Sequence, residues 1–473
     1  MPETCRLKAE NGAYLSLLLF IILAYINAFI KITSSYHPIW SDEFMYFLNA
    51  ASFFENHTLQ AAITYSGKGS ELLGADAHGP GYPLLHGIIA VLCGWHSRNI
   101  ILFNLVAILA AVWVIISAKH TLKDNRLKII CLLLLFPAIL LYAVTYMQEM
   151  VHLPVAVVLS MVIWRVYHEE NNLRYFGLFI ALVLVAGLFR GLWFFWLIGL
   201  VPAAKSRGQV IILLLIMLSG VVWSFYYARL FNEPYPNTMT GFLSLLHNGH
   251  FWSALVWLTK HFFLNVKLYL SIRHQEIYYI FMKLSISLLA VFFAVRACRY
   301  QGRLDAALAS IAAVNLLLLL LAHDAHSWRE IRTMAPLFYF LLPFFFLQTR
   351  PLVHHLAAGL SFIMFCLALP TLSQWIAERN ATSISMSTRL SAMRDLARAI
   401  PDNKVVLIGF PVRDNSRDLL DLPLRNSCGH QVKYIVQYCI VPTVKYDYIL
   451  YRPHSPDNRP VVIANDYYKL VRN

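Results

Sequence analysis

Three groups of polar residues in this chain have types and spacing that could do chemistry. The first is the acidic pair Asp42-Glu43, in the stretch Trp40-Ser41-Asp42-Glu43-Phe44-Met45-Tyr46. Apolar segments precede and follow it, and carboxylates are costly near a membrane unless they have work to do. Such a pair could take up a proton or help hold a cation. It could equally serve structure, with Ser41 capping a helix whose first turn favours Asp42 and Glu43 through the macrodipole. Adjacent residues of a helix point about 100° apart, so the two carboxylates cannot share one role; Asp42 is the first candidate and Glu43 the supporting one.

The second group is Glu149, preceded by Tyr146 and Gln148, at the head of an apolar run. It reads either as a second acidic site at a membrane edge or as an ordinary interfacial carboxylate. The third is cationic. The stretch His323-Asp324-Ala325-His326-Ser327-Trp328-Arg329-Glu330-Ile331-Arg332 concentrates donors in one loop, and arginine's planar fork suits phosphate oxygens. Arg332 leads this group, with Arg329 and His78 as helpers, although Arg329 could instead pair with Asp324 or Glu330. Arg190, between Phe189 and Gly191, could meet a phosphate or anchor a turn. His323 and His326 lack a third ligand at zinc-site spacing.

These residues are positioned by a membrane domain. Of 473 residues, 59% are hydrophobic and 14% charged, with a mean hydropathy of +0.58. That lies well above the roughly 45–50% apolar usage of soluble domains. Helices of about 20 apolar residues satisfy their own backbone across the hydrocarbon, so the expected class is a polytopic α-helical membrane protein. The net charge of +14 does not indicate nucleic acid. Its Lys and Arg gather in short loops between apolar runs: Arg6 and Lys8; Lys119, Lys123, Arg126 and Lys128; Arg165 and Arg174; Lys205 and Arg207; Arg296, Arg299 and Arg303; Arg350. By the positive-inside rule these loops are cytoplasmic.

With those loops inside, about eleven transmembrane helices are expected near 13–31, 99–118, 129–146, 150–166, 174–189, 191–204, 209–229, 277–296, 304–322, 333–349 and 353–372. The N-terminus is then inside and the tail outside. The first span is expected to be permanent, because no small-residue cleavage site follows it. Residues 82–95 are too few to cross and read as a re-entrant or interfacial helix in the first outer loop, 32–98; residues 251–271 read as a second helix lying in the interface. The Arg332 cluster then falls on the outer side, against the charge trend. Aromatic clusters such as Trp193-Phe194-Phe195-Trp196 read as membrane-boundary belts.

From residue 374 the composition turns more polar. A helix-like 387–400 and short β-rich runs at 405–408, 434–436, 448–451 and 461–463 predict a small α/β C-terminal domain on the outer face, the membrane domain ending at 373. Cys428 and Cys439 are the two tail cysteines, and they form a disulfide or remain free thiols.

Four patches in this arrangement resemble the GT-C membrane glycosyltransferases, in particular the branch of protein O-mannosyltransferases and the transferase that adds aminoarabinose to lipid A. Ser41 to Ala50 is similar to the family's Asp-Glu-x-x-Tyr helix start in the first outer loop. His78-Gly79-Pro80-Gly81-Tyr82-Pro83-Leu84 sits where the family has a Lys- or His-Pro-Pro-Leu segment. Tyr142 to Glu149 resembles its second outer acidic site, and Arg332-Thr333-Met334-Ala335-Pro336 its Arg-x-x-x-Pro approach to a late span. The chain departs from the pattern where Gly79-Pro80-Gly81 replaces a Pro-Pro pair and where Gln148 precedes Glu149.

The resemblance implies inverting transfer of a sugar from a polyprenyl-phosphate carrier to an acceptor hydroxyl, on a lipid-linked or cell-surface glycan. The chemistry needs a base beside the acceptor and positive charge at the leaving phosphate. The implied catalytic residues are Asp42 as base, with Glu43 and Glu149; the implied phosphate and substrate residues are His78, Tyr82, Arg190, Arg329 and Arg332. No metal is expected, although Asp42, Glu43 and Glu149 could together hold a divalent cation. The expected setting is a bacterial cytoplasmic membrane, the expected partners are the sugar donor, a glycan, lipid or protein acceptor and membrane lipids, and the expected state is a monomer. The alternative readings are a secondary transporter, against which the one-sided placement of the polar residues and the lack of an internal repeat argue, and an O-antigen polymerase or ligase.

Overall fold

A computed structural model describes residues 3–33, 36, 38, 41–56, 63–64, 79–96, 98–122, 125–169, 173–231, 238–272, 275–322, 328–380, 400, 405–408, 433–436, 447–451, 459–464 and 469–472. The chain opens with α1 (Glu3–Ile30) and, in the first loop, α2 (Ser41–Asn56), the short strand β1 (Ile63–Thr64) and α3 (Gly81–Cys93). There follow α4 (Asn99–Ser117), α5 (Lys119–Leu122), α6 (Arg126–Leu135), α7 (Pro137–Tyr142), α8 (Glu149–His168) and α9 (Leu173–Gly187). After a 3-10 helix, Gly191–Ala203, come α10 (Arg207–Phe231), α11 (Thr238–His247), α12 (Phe251–Leu270), α13 (Ile277–Tyr300) and α14 (Arg303–Ala322). A second 3-10 helix, Trp328–Met334, leads into α15 (Ala335–Gln348) and α16 (Pro351–Asn380).

Helical periodicity decides which face of each span is buried. In α1 the buried residues Tyr14, Ile21, Tyr25 and Ala28 recur at spacings of seven, four and three, while Leu15, Leu19, Ile22, Leu23 and Ile26 face outward. In α4 the outward face carries Leu102, Val106, Leu109 and Trp113. Apolar side chains displayed over this much surface need lipid rather than water around them. Among the described residues, eight helices are long and apolar enough to cross a membrane: the apolar parts of α1 and α10, together with α4, α8, α13, α14, the segment ending in α15, and α16. The chain is a multi-pass membrane protein.

The other three expected crossings take different forms. The 129–146 stretch is not one helix: Pro137 lacks an N–H and holds Phe136 extended (φ −68°, ψ 122°), so α6 stops at Leu135, α7 starts at Pro137, and turns occupy Ala143 to Gln148. α9 has only 15 residues. The 13 residues of Gly191–Ala203 are wound as a 3-10 helix, whose rise of about 2.0 Å per residue carries them about 26 Å, near the thickness of the hydrocarbon layer.

The two segments expected to lie in the interface are helical. α3 covers about 20 Å, too little to cross. α12 buries only Ala254 and Asn265 and exposes Phe251, Trp252, Phe263 and Leu270. Asn265 Nδ2 donates to Leu320 O at 2.9 Å, and Lys283 Nζ donates to Tyr269 O and Ser271 O, both at 2.8 Å, closing the C-terminal end of α12.

The tail contributes β2 (Val405–Ile408), β3 (Lys433–Val436), β4 (Tyr448–Tyr451), β5 (Val461–Ala464) and β6 (Lys469–Arg472). The sheet order is β1-β3-β2-β4-β6-β5, with β6 antiparallel to β4 and β5 and the other pairs parallel. Two features differ from expectation. The boundary at 373/374 falls inside α16, which continues to Asn380, and the sheet takes an edge strand, Ile63–Thr64, from the first loop. Cys428, Cys439 and the helix-like 387–400, apart from Ile400, lie outside the described residues.

Candidate active site

The turn Ala143 to Gln148 is the structural centre of the site. All its residues are buried, so its backbone groups need partners other than water. Side chains from distant elements supply them. Asn104 Nδ2 in α4 donates to Ala143 O at 3.1 Å and to Thr145 O at 2.8 Å. Tyr36 OH donates to Val144 O, and Tyr82 OH donates to Tyr146 O at 2.6 Å. Tyr146 OH returns a bond to Tyr36 O at 3.1 Å. Gln148 Nε2 reaches Tyr46 OH at 3.0 Å.

Glu43 closes this network. The first turn of α2 carries it inward, fully buried, where its Oε1 accepts from Tyr146 N–H at 3.0 Å and from Arg379 Nη2 at 2.8 Å. Arg379 stands in the last turn of α16 and also donates from Nη1 to Trp375 O at 3.1 Å. One carboxylate therefore ties the first loop, the turn at 143–148 and α16 together. Arg379, the partner of Glu43, was missed by sequence reasoning.

Glu149 begins α8, its side chain 1% exposed. Its Oε1 lies 3.5 Å from Arg190 Nη2 and 3.6 Å from Arg332 Nε, both guanidinium side chains about nine-tenths buried. Its other oxygen, Oε2, is buried without a hydrogen-bond partner. Two guanidinium groups thus meet beside one carboxylate in a poorly solvated place, where their electrostatic interactions are strong. Arg190 follows the turn that ends α9 and precedes the 3-10 helix. That turn is pressed against the start of α3: Gly81 N–H donates to Leu188 O at 2.9 Å, and a Cβ on Gly79 would meet Leu188 O at 2.1 Å. Glycine at 79 is what allows this approach, which gives the departure from a Pro-Pro pair a local reason. Arg332 is set by the 3-10 helix that hands over to α15, where Pro336 occupies the first turn. Beside them Trp193 Nε1 donates to His152 Nδ1 at 3.0 Å.

Tyr82 lies between the two carboxylates in electrostatic terms. Burial first, then the charges of Glu43 and Glu149, push its phenol well above the ordinary tyrosine value. Its ring packs against Tyr46 (centroids 4.7 Å) and His86 (4.3 Å).

The structure therefore brings together Glu149, Arg190 and Arg332, and places Glu43 and Tyr82 around the adjoining turn. Asp42 and Arg329 lie within helices, but their side chains, like His78 as a whole, are outside the described residues. Of the three carboxylates considered for a divalent cation, Glu43 and Glu149 are each engaged by guanidinium, and among the described residues no three His, Cys, Asp or Glu side chains converge.

No protein-family model matches the chain, and no curated protein sequence does. Solved structures do. ArnT from Cupriavidus metallidurans, bound to undecaprenyl phosphate, aligns with a TM-score of 0.52 at 13% identity over 96% of this chain and 97% of that one. The Archaeoglobus fulgidus oligosaccharyltransferase in its apo form aligns with a TM-score of 0.51 at 10% identity over 93% of this chain and 69% of that one. At these identities the likeness concerns the fold. That fold is a polytopic helical membrane architecture with a small sheet, the class that the sequence led us to expect.

Proposed function

We infer that the chain is an inverting glycosyltransferase that moves a sugar from a polyprenyl-phosphate carrier to an acceptor hydroxyl at the outer face of a bacterial cytoplasmic membrane, with its N-terminus inside. The observation that carries this reading is the convergence of Arg190 and Arg332, both about nine-tenths buried, at Glu149. Paired guanidinium forks in a poorly solvated place suit phosphate oxygens.

In this reading the acceptor oxygen attacks the anomeric carbon while the bond from that carbon to the phosphate oxygen breaks. The leaving phosphate keeps the electron pair, and Arg190 and Arg332 stabilise its charge. The acceptor's proton passes to Asp42, next to Glu43 in the first turn of α2. Glu43 does not share that task; held by Arg379 and Tyr146 N–H, it fixes the turn of α2 that carries Asp42. Glu149 keeps the two guanidinium groups apart and oriented. Metal plays no part in these steps.

Native mass spectrometry of the purified protein with undecaprenyl phosphate and its sugar-loaded forms tests the donor site. Binding to wild type that falls about tenfold or more in Arg332→Ala supports it, since a charge-assisted contact contributes roughly 1.5–3 kcal/mol. No binding of any carrier overturns it. Loss of transfer in Asp42→Asn with donor binding intact supports the base assignment, and full activity overturns it.

A further inference from the structure

Three parts of the site share one arrangement. Glu149, Arg190 and Arg332 stand at the N-terminal ends of α8, the 3-10 helix Gly191–Ala203 and the segment leading into α15. The C-terminal ends of the same three segments, about 28 Å along α8 at 1.5 Å per residue, enclose a cavity of their own. It holds about 420 Å³ and is bounded by Trp164 and Tyr167 of α8, by Lys205 after the 3-10 helix, by Arg303 and Asp305 of α14, and by Gln348 of α15. It lies among the basic loops and shares no lining residue with the Glu149, Arg190 and Arg332 cluster.

The charges in this cavity are unequal. Asp305 is neutralised by a two-pronged contact, Arg296 Nε to Oδ1 and Nη2 to Oδ2, both at 3.2 Å, and Gln348 Nε2 donates to Oδ1 at 3.3 Å. That bond turns the Gln348 amide so that its Oε1 is buried without a partner. Lys205 and Arg303, by contrast, have no carboxylate partner among the described residues, and both stand exposed at the rim. Cations at this end of a membrane protein are ordinary. Two unpaired cations across a cleft between spans, with indole and phenol walls, form a concave receptor for an anion that can also offer apolar surface. Free anions meet the first requirement, and lipids with a charged headgroup meet both.

We propose that this cavity is a binding site for the phosphate of an anionic lipid in the leaflet at the basic end, held between Lys205 and Arg303, with its glycerol and upper chains against Trp164 and Tyr167. The site is separate from the Arg190–Arg332 cluster and does not depend on the function assigned to it. Each cation near a lipid surface contributes about 1 kcal/mol, so removing both weakens binding about 30-fold.

The test is native mass spectrometry of the full-length protein in detergent with dioctanoyl phosphatidylglycerol, dioctanoyl phosphatidylcholine or inorganic phosphate. The wild type is expected to retain phosphatidylglycerol over phosphatidylcholine. Lys205→Ala/Arg303→Ala is expected to lose that preference, whereas Lys205→Arg/Arg303→Lys keeps it, which separates charge from folding. Unchanged phosphatidylglycerol binding in the alanine pair overturns the site. Inorganic phosphate binding as tightly as phosphatidylglycerol, and lost in the alanine pair, overturns the lipid assignment in favour of a free-phosphate site.

Discussion

Glu43 and Arg379 form a 2.8 Å ion pair with neither side chain exposed, although 336 residues separate them in the chain. Its removal in halves should be far more damaging than its removal as a unit. Arg379→Met leaves the buried Glu43 carboxylate without its guanidinium partner, and breaking one side of a buried pair costs about 3–5 kcal/mol. Glu43→Leu/Arg379→Met leaves no stranded charge, and its remaining cost is the unpaired Tyr146 N–H. Thermal unfolding in detergent should place the double variant above Arg379→Met; a double variant that is the less stable of the two would contradict the pairing.

The turn at 143–148 makes a second stability prediction. Asn104→Ala removes the donor to two buried carbonyls, Ala143 O and Thr145 O, whereas Tyr82→Phe removes the donor to one, Tyr146 O. Each stranded polar group costs roughly 1–3 kcal/mol. Asn104→Ala should therefore unfold at the lower temperature of the two, and the same order should appear in faster amide exchange at residues 143–148.

How much of this was legible in sequence follows from distance along the chain. The membrane class, most spans and the helices α3 and α12 follow from local composition, and Pro137 carries the information that breaks the 129–146 run. Asp42-Glu43 and Glu149 were visible because a charge is conspicuous among apolar neighbours, and Arg332 because donors are concentrated in the stretch that it ends. The pairings of Glu43, Glu149 and Arg332 were not. Nothing local links Arg190 to Glu149, and Arg379, in the stretch Glu378-Arg379-Asn380, looks like the start of a polar tail. Its signal was the length of α16, whose helical pattern runs past 373. The two-residue strand Ile63–Thr64 is too short to show a period and exists through its pairing with Tyr434 and Ile435.

Glu149 should behave as an internal substitute for a ligand anion. Glu149→Gln leaves Arg190 and Arg332 without their shared carboxylate, so the variant should be less stable than wild type when empty. An added phosphate then replaces the missing charge. Undecaprenyl phosphate should raise the unfolding temperature of Glu149→Gln more than that of wild type, through tighter binding to the folded state. High salt should shrink the difference. An equal or smaller shift in the variant would show that the arginines do not face the phosphate.

His86 makes the protein sensitive to acid. It is buried in α3 between Tyr82 and Phe103, neither ring nitrogen has a hydrogen-bond partner, and burial pushes its pKa down from 6.5 to about 3. Between those two values the unfolded chain holds a proton that the folded chain refuses. Stability is then fully present above pH 6.5 and falls steadily as the pH drops toward 3, by about 1.4 kcal/mol per pH unit from this group. His86→Phe keeps an aromatic ring against Tyr82 and has no proton to take up, so its unfolding temperature should decline less between pH 7.5 and pH 5 than that of wild type. Because Tyr82 donates to Tyr146 O beside the Glu43 bond, acid loosening of α3 should also weaken donor binding in wild type and spare His86→Phe. Parallel pH profiles for the two proteins would remove His86 as the cause.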